Sequence, residues 1–206
     1  MRRRWQAFLL VAAVVSLGVA RASAQAPSEP RQLVERTIKA AFSVLRDDKL
    51  KSQSKERMRA LRAAVDPAFD WDAMAKSSLG APWRDLKDKQ RTEFVSVFKE
   101  LLAQRYMDDI DRFQGSEELN VTGAEQQGDW SLVKTVLVTS GRDRIPIDYQ
   151  LHPSGTGWRV DDVSIEGVSL VNHYRSTFRQ FLTNKSFDEL MAQLRRKLGV
   201  DKQAAK

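Results

Sequence analysis

The apolar residues of this chain change their spacing twice, and this change limits the possible folds more than any other feature. From Glu118 to Ile165 they follow a period of two, whereas before and after this stretch they recur at helical spacing. Turn sequences interrupt the middle stretch at 127–129, 141–143 and 153–157. Connections this short join antiparallel strands. The order of helices, four strands and helices therefore predicts an α+β domain, with a four-stranded antiparallel meander sheet curled against N-terminal and C-terminal helices.

The strands differ in how their apolar residues alternate. Trp130 to Thr139 is apolar on both faces, as in a strand that is covered on both sides, whereas Ile145 to Leu151 alternates cleanly. In the fourth strand the apolar phase slips by one residue between Val160 and Val163, which predicts a β-bulge.

Helical spacing predicts helices over 32–48, 55–65, 69–79, 87–111, 170–182 and 186–199. The helix over 87–111 carries apolar residues around about 220° of its circumference, while a surface helix needs a stripe of about 100°. Such a helix lies deep between two layers or lines an apolar space that protein does not fill.

The N-terminal segment has the pattern of a cleavable signal peptide over residues 1–24, which leaves 25–206 as a single domain. Arg2 to Arg4 form a basic stretch, Trp5 to Ala20 is almost wholly apolar, and Ala22 to Ala24 supply the small residues of a cleavage site. An uncleaved N-terminal anchor is the alternative. Removing the segment takes away four arginines and no acids, so the formal charge falls from +7 to +3, with 30 basic residues against 27 acidic ones.

Composition excludes several classes of function. No dense Lys/Arg patch remains after export, which speaks against nucleic-acid binding. The absence of cysteine excludes disulfides, thiolate metal sites and cysteine nucleophiles, and in an exported chain it is typical of a bacterial periplasmic protein.

Most catalytic signatures are absent from the sequence. It has no G-x-S-x-G elbow, P-loop, H-E-x-x-H or dinucleotide fingerprint, and His152 and His173 are its two histidines. Asp161 and Asp162 could form a carboxylate pair, but adjacent strand residues point to opposite faces. We therefore expect no catalytic residue, no metal site and no cofactor. A hydrolase that uses Asp161 or Asp162 stays open as an alternative.

An excess of apolar surface is the remaining feature. The long helix, the sheet and both C-terminal helices each bring a broad apolar face with aromatic side chains. These side chains either fill a close-packed core or wall a cavity for an apolar ligand, and periodicity does not separate the two.

Two ordered sets of residues carry a family resemblance. The first is Asp66-Pro67-Ala68-Phe69-Asp70, Ala75, Ser78-Leu79-Gly80, Trp83, Gln90-Arg91, Phe94, Phe98 and Tyr106; the second is 162–171, Tyr174-Arg175 and Phe178. In this order they resemble the toluene-tolerance family of MlaC-like periplasmic phospholipid-binding proteins, over nearly the whole chain that follows the signal peptide.

The resemblance implies a mixed α/β fold with an internal apolar pocket for the acyl chains of a phospholipid, which is cargo and not a cofactor. It implies a soluble periplasmic carrier, not an enzyme, that maintains outer-membrane lipid asymmetry. Its expected partners are an inner-membrane ABC transporter with an MCE-domain protein and an outer-membrane lipoprotein–porin complex. A hopanoid-associated branch shares the pattern, so another lipid is an alternative. A second alternative is a periplasmic adaptor or chaperone that has a close-packed core and binds no lipid.

Inward apolar positions are the expected lipid-binding residues. They are Phe94, Phe98, Leu102, Tyr106, Val136, Ile147, Tyr149, Trp158, Val160, Val163, Tyr174 and Phe178. Arg175 borders the apolar stripe of its helix, where its guanidinium meets either a lipid phosphate or a nearby acid.

Overall fold

The computed structural model describes residues 28–105, 113, 115–155 and 157–199. The α-helices of this part of the chain are α1 (Glu29–Leu45), α2 (Ser54–Val65), α3 (Trp71–Leu79), α4 (Asp88–Arg105), α5 (Leu170–Leu182) and α6 (Phe187–Leu198), and short 3-10 helices span Asp48–Leu50, Asp66–Ala68 and Ala81–Asp85. The strands are β1 (Glu118–Gln127), β2 (Trp130–Val138), β3 (Arg144–Ser154), β4 (Gly157–Ile165) and β5 (Val168–Ser169). The predicted signal peptide and the predicted continuation of the long helix beyond Arg105 lie outside the described residues.

The sheet is an antiparallel meander in the order β1-β2-β3-β4-β5, so the α+β prediction is confirmed. The strand count corrects the sequence prediction, because β5 adds a fifth strand. Glu166 and Gly167 form the turn before it with positive φ angles of 51° and 80°, the backbone shape of a tight hairpin. A two-residue strand is too short to show a period of two, and this is why the sequence did not reveal it.

The predicted bulge in β4 is confirmed. Gln150 of β3 pairs with Asp162, while the next residue, Leu151, pairs with Val160, so Asp161 is the extra residue. The bulge shifts the alternation by one position. Val160 and Val163 are therefore both buried on the inner face of the sheet.

The inner face of β2 corrects the prediction for Val136. Ser131, Val133 and Thr135 are at most 1% exposed, so the odd-numbered residues face the interior. Side chains alternate along a strand, which places Val136 on the outer face next to Lys134. The apolar pattern on both faces of β2 concealed this phase. Its outer face is half-buried in the described chain and not fully covered.

The helices divide into two groups on the inner side of the sheet. Buried side chains of α3, α4, α5 and α6 form one continuous core, which we call the aromatic core. Helix α1 lies across the sheet, where Val34 packs with Val133 and Leu151. Helix α2 packs against α1, and the buried Arg57 donates a hydrogen bond of 3.2 Å to the carbonyl of Leu45.

The last helix begins as its sequence suggests. Ser186 and Glu189 form a capping box, and Gly199 ends the helix with a φ of 71°. Among the described residues, none of the helices is long and apolar enough to cross a membrane.

Candidate apolar ligand cavity

A cavity of about 360 Å³ lies between the sheet and helices α1, α2 and α4. Charged side chains occur at three of its lining positions, Arg62, Asp66 and Lys99. Its complete lining is Ala41, Leu45, Met58, Leu61, Arg62, Val65, Asp66, Phe69, Trp71, Met74, Lys99, Leu102, Ala103, Ile147, Tyr149, Val163, Ile165 and Leu170. The cavity opens to solvent on one side, and clefts that bind small molecules typically have volumes from about 300 Å³ upwards. The space therefore has the volume and the lining of an apolar ligand site.

Local sequence explains how the helices supply this wall. In α2, Met58, Leu61 and Val65 recur at intervals of three and four and so share one face. Across the cavity, Ile147, Val163 and Ile165 come from the inner face of β3 and β4, where they are neighbours in the register. These side chains are aliphatic and of moderate size, and they do not close the space between the two layers.

A second cavity of about 100 Å³ adjoins the first beneath α1. The two share Ala41, Val65, Phe69 and Tyr149 as lining residues, so the rings of Phe69 and Tyr149 stand where the cavities meet. Burial of the Tyr149 ring disfavours the phenolate and raises the pKa of this side chain to about 12. Together the cavities form an apolar space with two compartments.

The charged residues of the larger cavity join α2 to α4. Arg62 donates two hydrogen bonds to the carboxylate of Glu100, one of them 2.8 Å long. Lys99 Nζ lies 2.8 Å from Asp66 Oδ2 and 5.2 Å from the centre of the Trp71 ring. The hydrogen bonds from Arg62 lower the pKa of Glu100 and raise that of Arg62. This side of the cavity is therefore polar, while the opposite side is aliphatic.

Five of the predicted lipid-binding residues lie on the cavity walls. Leu102, Ile147, Tyr149 and Val163 line the larger cavity, and Val160 lines the smaller one together with Tyr149. Their contact with a lipid stays a prediction.

Four other predicted residues belong to the aromatic core. The rings of Phe94, Phe98, Tyr174 and Phe178 pack against one another, with centroids 5.5 to 6.4 Å apart. They are not among the residues that line either cavity. The sequence left open whether such side chains fill a core or wall a cavity, and here they fill a core.

The remaining predicted residues lie elsewhere. Trp158 packs beside Leu33 of α1 at the end of the sheet, and Val136 is on the outer face. Tyr106 lies outside the described residues. Arg175 donates a hydrogen bond of 2.7 Å from Nε to the carbonyl of Ser77, which joins α5 to α3. Its contact with a lipid phosphate or an acid stays a prediction.

The carboxylates of Asp161 and Asp162 have separate partners. Asp161 Oδ2 lies 3.2 Å from Nδ1 of His152, whose Nε2 lies 3.1 Å from Asp70. Burial raises the pKa of Asp161, and the charge of His152 opposes this shift. Asp162 accepts hydrogen bonds from the backbone of Val163 and Val171 and thereby ties β4 to the start of α5. The two groups do not converge on one point.

No group of three or more metal-ligating side chains occurs within the part of the chain that the structure describes.

Most of the wall comes from residues that the sequence analysis did not select. Helices α1 and α2 contribute Ala41, Leu45, Met58, Leu61 and Val65. Their helical spacing is visible in the sequence, but spacing alone identifies a buried face and does not show what that face meets. Phe69, which follows the second 3-10 helix, and Trp71, the first residue of α3, were missed for the same reason.

A family model described as MlaC protein matches residues 35–196 of the chain. The chain belongs to the MlaC family. This confirms the family resemblance of the two ordered residue sets. The fold is also similar to that of a solved phospholipid-binding protein from Ralstonia solanacearum in complex with a phospholipid, with a TM-score of 0.77 and 17% identity over 87% of this chain and 100% of that one. At this level of identity, the match shows that the two chains share a fold.

Proposed function

We propose that this MlaC-family protein is a phospholipid carrier that holds acyl chains in the cavity between α1, α2, α4 and the sheet. The observation that carries the proposal is the cavity of about 360 Å³, with its apolar lining and one charged side. The phospholipid bound to the Ralstonia solanacearum protein of the same fold supports it.

The energetics of lipid transfer explain why such a cavity is useful. Each buried methylene group is worth about 0.8 kcal/mol, so two chains of roughly 15 methylenes represent about 24 kcal/mol. A free phospholipid therefore hardly enters water. A carrier has to offer an apolar lining close to that of the bilayer, since a poorer lining prevents uptake and a better one prevents release.

The carrier acts in the periplasm, after removal of residues 1–24. It exchanges lipid with an outer-membrane lipoprotein–porin complex and with an inner-membrane ABC transporter that carries an MCE-domain protein, and it thereby maintains lipid asymmetry. The basic and apolar pattern of residues 1–24 and the family membership support this assignment. In such a carrier, direction comes from partners that bind the open or closed state differently, and not from catalysis by the chain itself.

Organic extraction of the exported protein tests the proposal. We expect about one phospholipid per chain by mass spectrometry and phosphorus assay, and transfer of labelled phospholipid from donor to acceptor vesicles. A hopanoid in the extract would support a carrier function but identify a different lipid as the cargo. A lipid-free protein that transfers nothing would favour an adaptor or chaperone. Lipid hydrolysis that is lost on replacing Asp161 or Asp162 would favour the enzyme.

A further inference from the structure

Three side chains that carry a positive charge or a polar N–H group meet on one side of the larger cavity. Arg62 comes from α2, Lys99 from α4 and Trp71 from the first turn of α3. Lys99 lies over the Trp71 ring at 5.2 Å and pairs with Asp66, whose charge also acts on Arg62. The three are therefore one contiguous cluster, although they belong to three different helices.

Two donors of this cluster lack an acceptor. Nε of Arg62 and Nε1 of Trp71 are buried and make no hydrogen bond within the described protein. Buried polar groups in native proteins are nearly always hydrogen-bonded, so an orphaned donor calls for an explanation. Both donors belong to side chains that line one cavity, next to the Lys99 ammonium group, and this points to a ligand that brings an acceptor into that cavity.

The chemistry of the cluster defines the acceptor. A guanidinium group has five N–H donors, of which Glu100 engages two, so Arg62 can take a second oxyanion while it keeps its ion pair. Arginine and lysine together favour a phosphate, which offers several charged oxygens in a small volume. Most of the remaining lining is apolar, so the molecule that carries this phosphate also has long apolar chains.

We propose that Arg62, Lys99 and Trp71 bind the phosphate of a glycerophospholipid whose acyl chains occupy the cavity. This inference rests on the proposed function and adds a phosphate site to it. Glu100 and Asp66 pair with the two cations and are not themselves phosphate ligands. Inorganic phosphate shares the same chemistry, and the experiment below distinguishes the two sources.

The test compares two fluorescent lipids that share their acyl chains and label. One is a phosphatidylethanolamine and the other is a diacylglycerol without phosphate, each titrated into delipidated full-length mature protein. We expect the double variant R62Q/K99Q to bind the phosphatidylethanolamine about tenfold more weakly, and W71F about threefold more weakly. Diacylglycerol binding stays unchanged in both variants. The exposed Arg59 on α2 gives the matched control R59Q, which binds both lipids like the wild type.

The variant E100Q separates phosphate binding from helix stabilisation. It removes the ion pair with Arg62 but leaves the cation, so affinity for the phosphatidylethanolamine does not fall if Arg62 binds phosphate. Equal losses of phosphatidylethanolamine affinity in E100Q and R62Q would contradict the phosphate site. Equal losses of affinity for both lipids in R62Q/K99Q would contradict it too. Neither result would affect the proposed carrier function. Binding of inorganic phosphate that depends on Arg62, without a matching effect on the phospholipid, would assign the site to free phosphate. Failure of the wild type to bind either lipid would refute both proposals.

Discussion

The aromatic core and the space beneath α1 and α2 are both apolar, yet only the first is closed. In the aromatic core, Phe94, Phe98 and Phe178 are at most 2% exposed, and rings from α4 and α5 interlock edge to face. Between α2 and the sheet, by contrast, a cavity of about 360 Å³ remains.

The way in which side chains meet, and not their size alone, accounts for this difference, since the rings of Phe69, Trp71 and Tyr149 also line the open region. Phenylalanine and tyrosine rings from facing helices fill the closed region, whereas aliphatic groups such as Leu61 and Ile147 face one another across the open one. Close packing contributes dispersion energy that the lining of a void lacks. We infer that the aromatic core maintains the fold and that, under the proposed function, the open region gains part of its stability from a ligand.

The largest expected effect is on stability when the closed region loses a ring. Phe98→Ala removes a fully buried side chain that contacts Phe94, Tyr174 and Phe178. We expect it to lower the free energy of unfolding by about 3–5 kcal/mol in urea denaturation. Leu61→Ala, on the wall of the existing cavity, is the comparison and should cost about 1 kcal/mol, because this side chain is only partly buried and already borders empty space. Equal costs for the two changes would show that the regions are packed alike.

Removal of bound lipid should destabilise the protein by the next largest amount. A ligand at one hundred times its Kd stabilises the folded state by about 2.7 kcal/mol, because it binds the folded chain and not the unfolded one. We expect delipidated protein to show this loss in urea denaturation, and reloading with phospholipid to restore it. Identical denaturation curves before and after extraction would contradict a ligand-dependent open region.

Tyr149 offers a pH test of burial at the cavity wall. Burial raises its pKa from 10.0 to about 12 in the folded protein. The stability that comes from keeping the phenol neutral is therefore complete below pH 10 and is lost as pH rises towards 12 and beyond. By pH 12 we expect a loss of about 2 kcal/mol that Tyr149→Phe does not show. Ultraviolet titration of the phenolate checks this, and ionisation of Tyr149 near pH 10 would contradict it.

The smallest of these effects is on lipid content and compares the two faces of the sheet. Ile147→Glu places a carboxylate on the cavity wall, whereas Val136→Glu places one on the outer face. We expect bound phospholipid to fall about tenfold, or 1.4 kcal/mol, in the first variant and to stay unchanged in the second. Circular dichroism confirms that both fold. Full lipid loading in Ile147→Glu would place the lipid elsewhere.

The sequence predicted local structure well because local structure follows periodicity. The meander, the bulge around Asp161 and the capping box of Ser186 and Glu189 all have short-range signatures. The two-residue strand Val168–Ser169 has no such short-range signature in the sequence. The inward phase of β2 was misjudged at Val136, because apolar residues on both faces leave the alternation ambiguous.

The site was harder to predict than the fold because a cavity depends on which faces meet. Phe98 and Ile147 both occupy apolar positions in their sequence patterns. In the structure Phe98 packs against other aromatic rings, whereas Ile147 borders the larger cavity. The cluster of Arg62, Trp71 and Lys99 joins residues from three helices. No local spacing brings such residues together, so the sequence pointed instead to Arg175, which binds a backbone carbonyl.

An electron-density map of the protein purified after export would test most directly whether lipid completes the interior. We predict elongated density that runs from the aliphatic wall at Ile147 and Ile165 towards Lys99, with a compact end beside Arg62. A map in which the side chains of α2 close onto the sheet, with no density between them, would contradict the account.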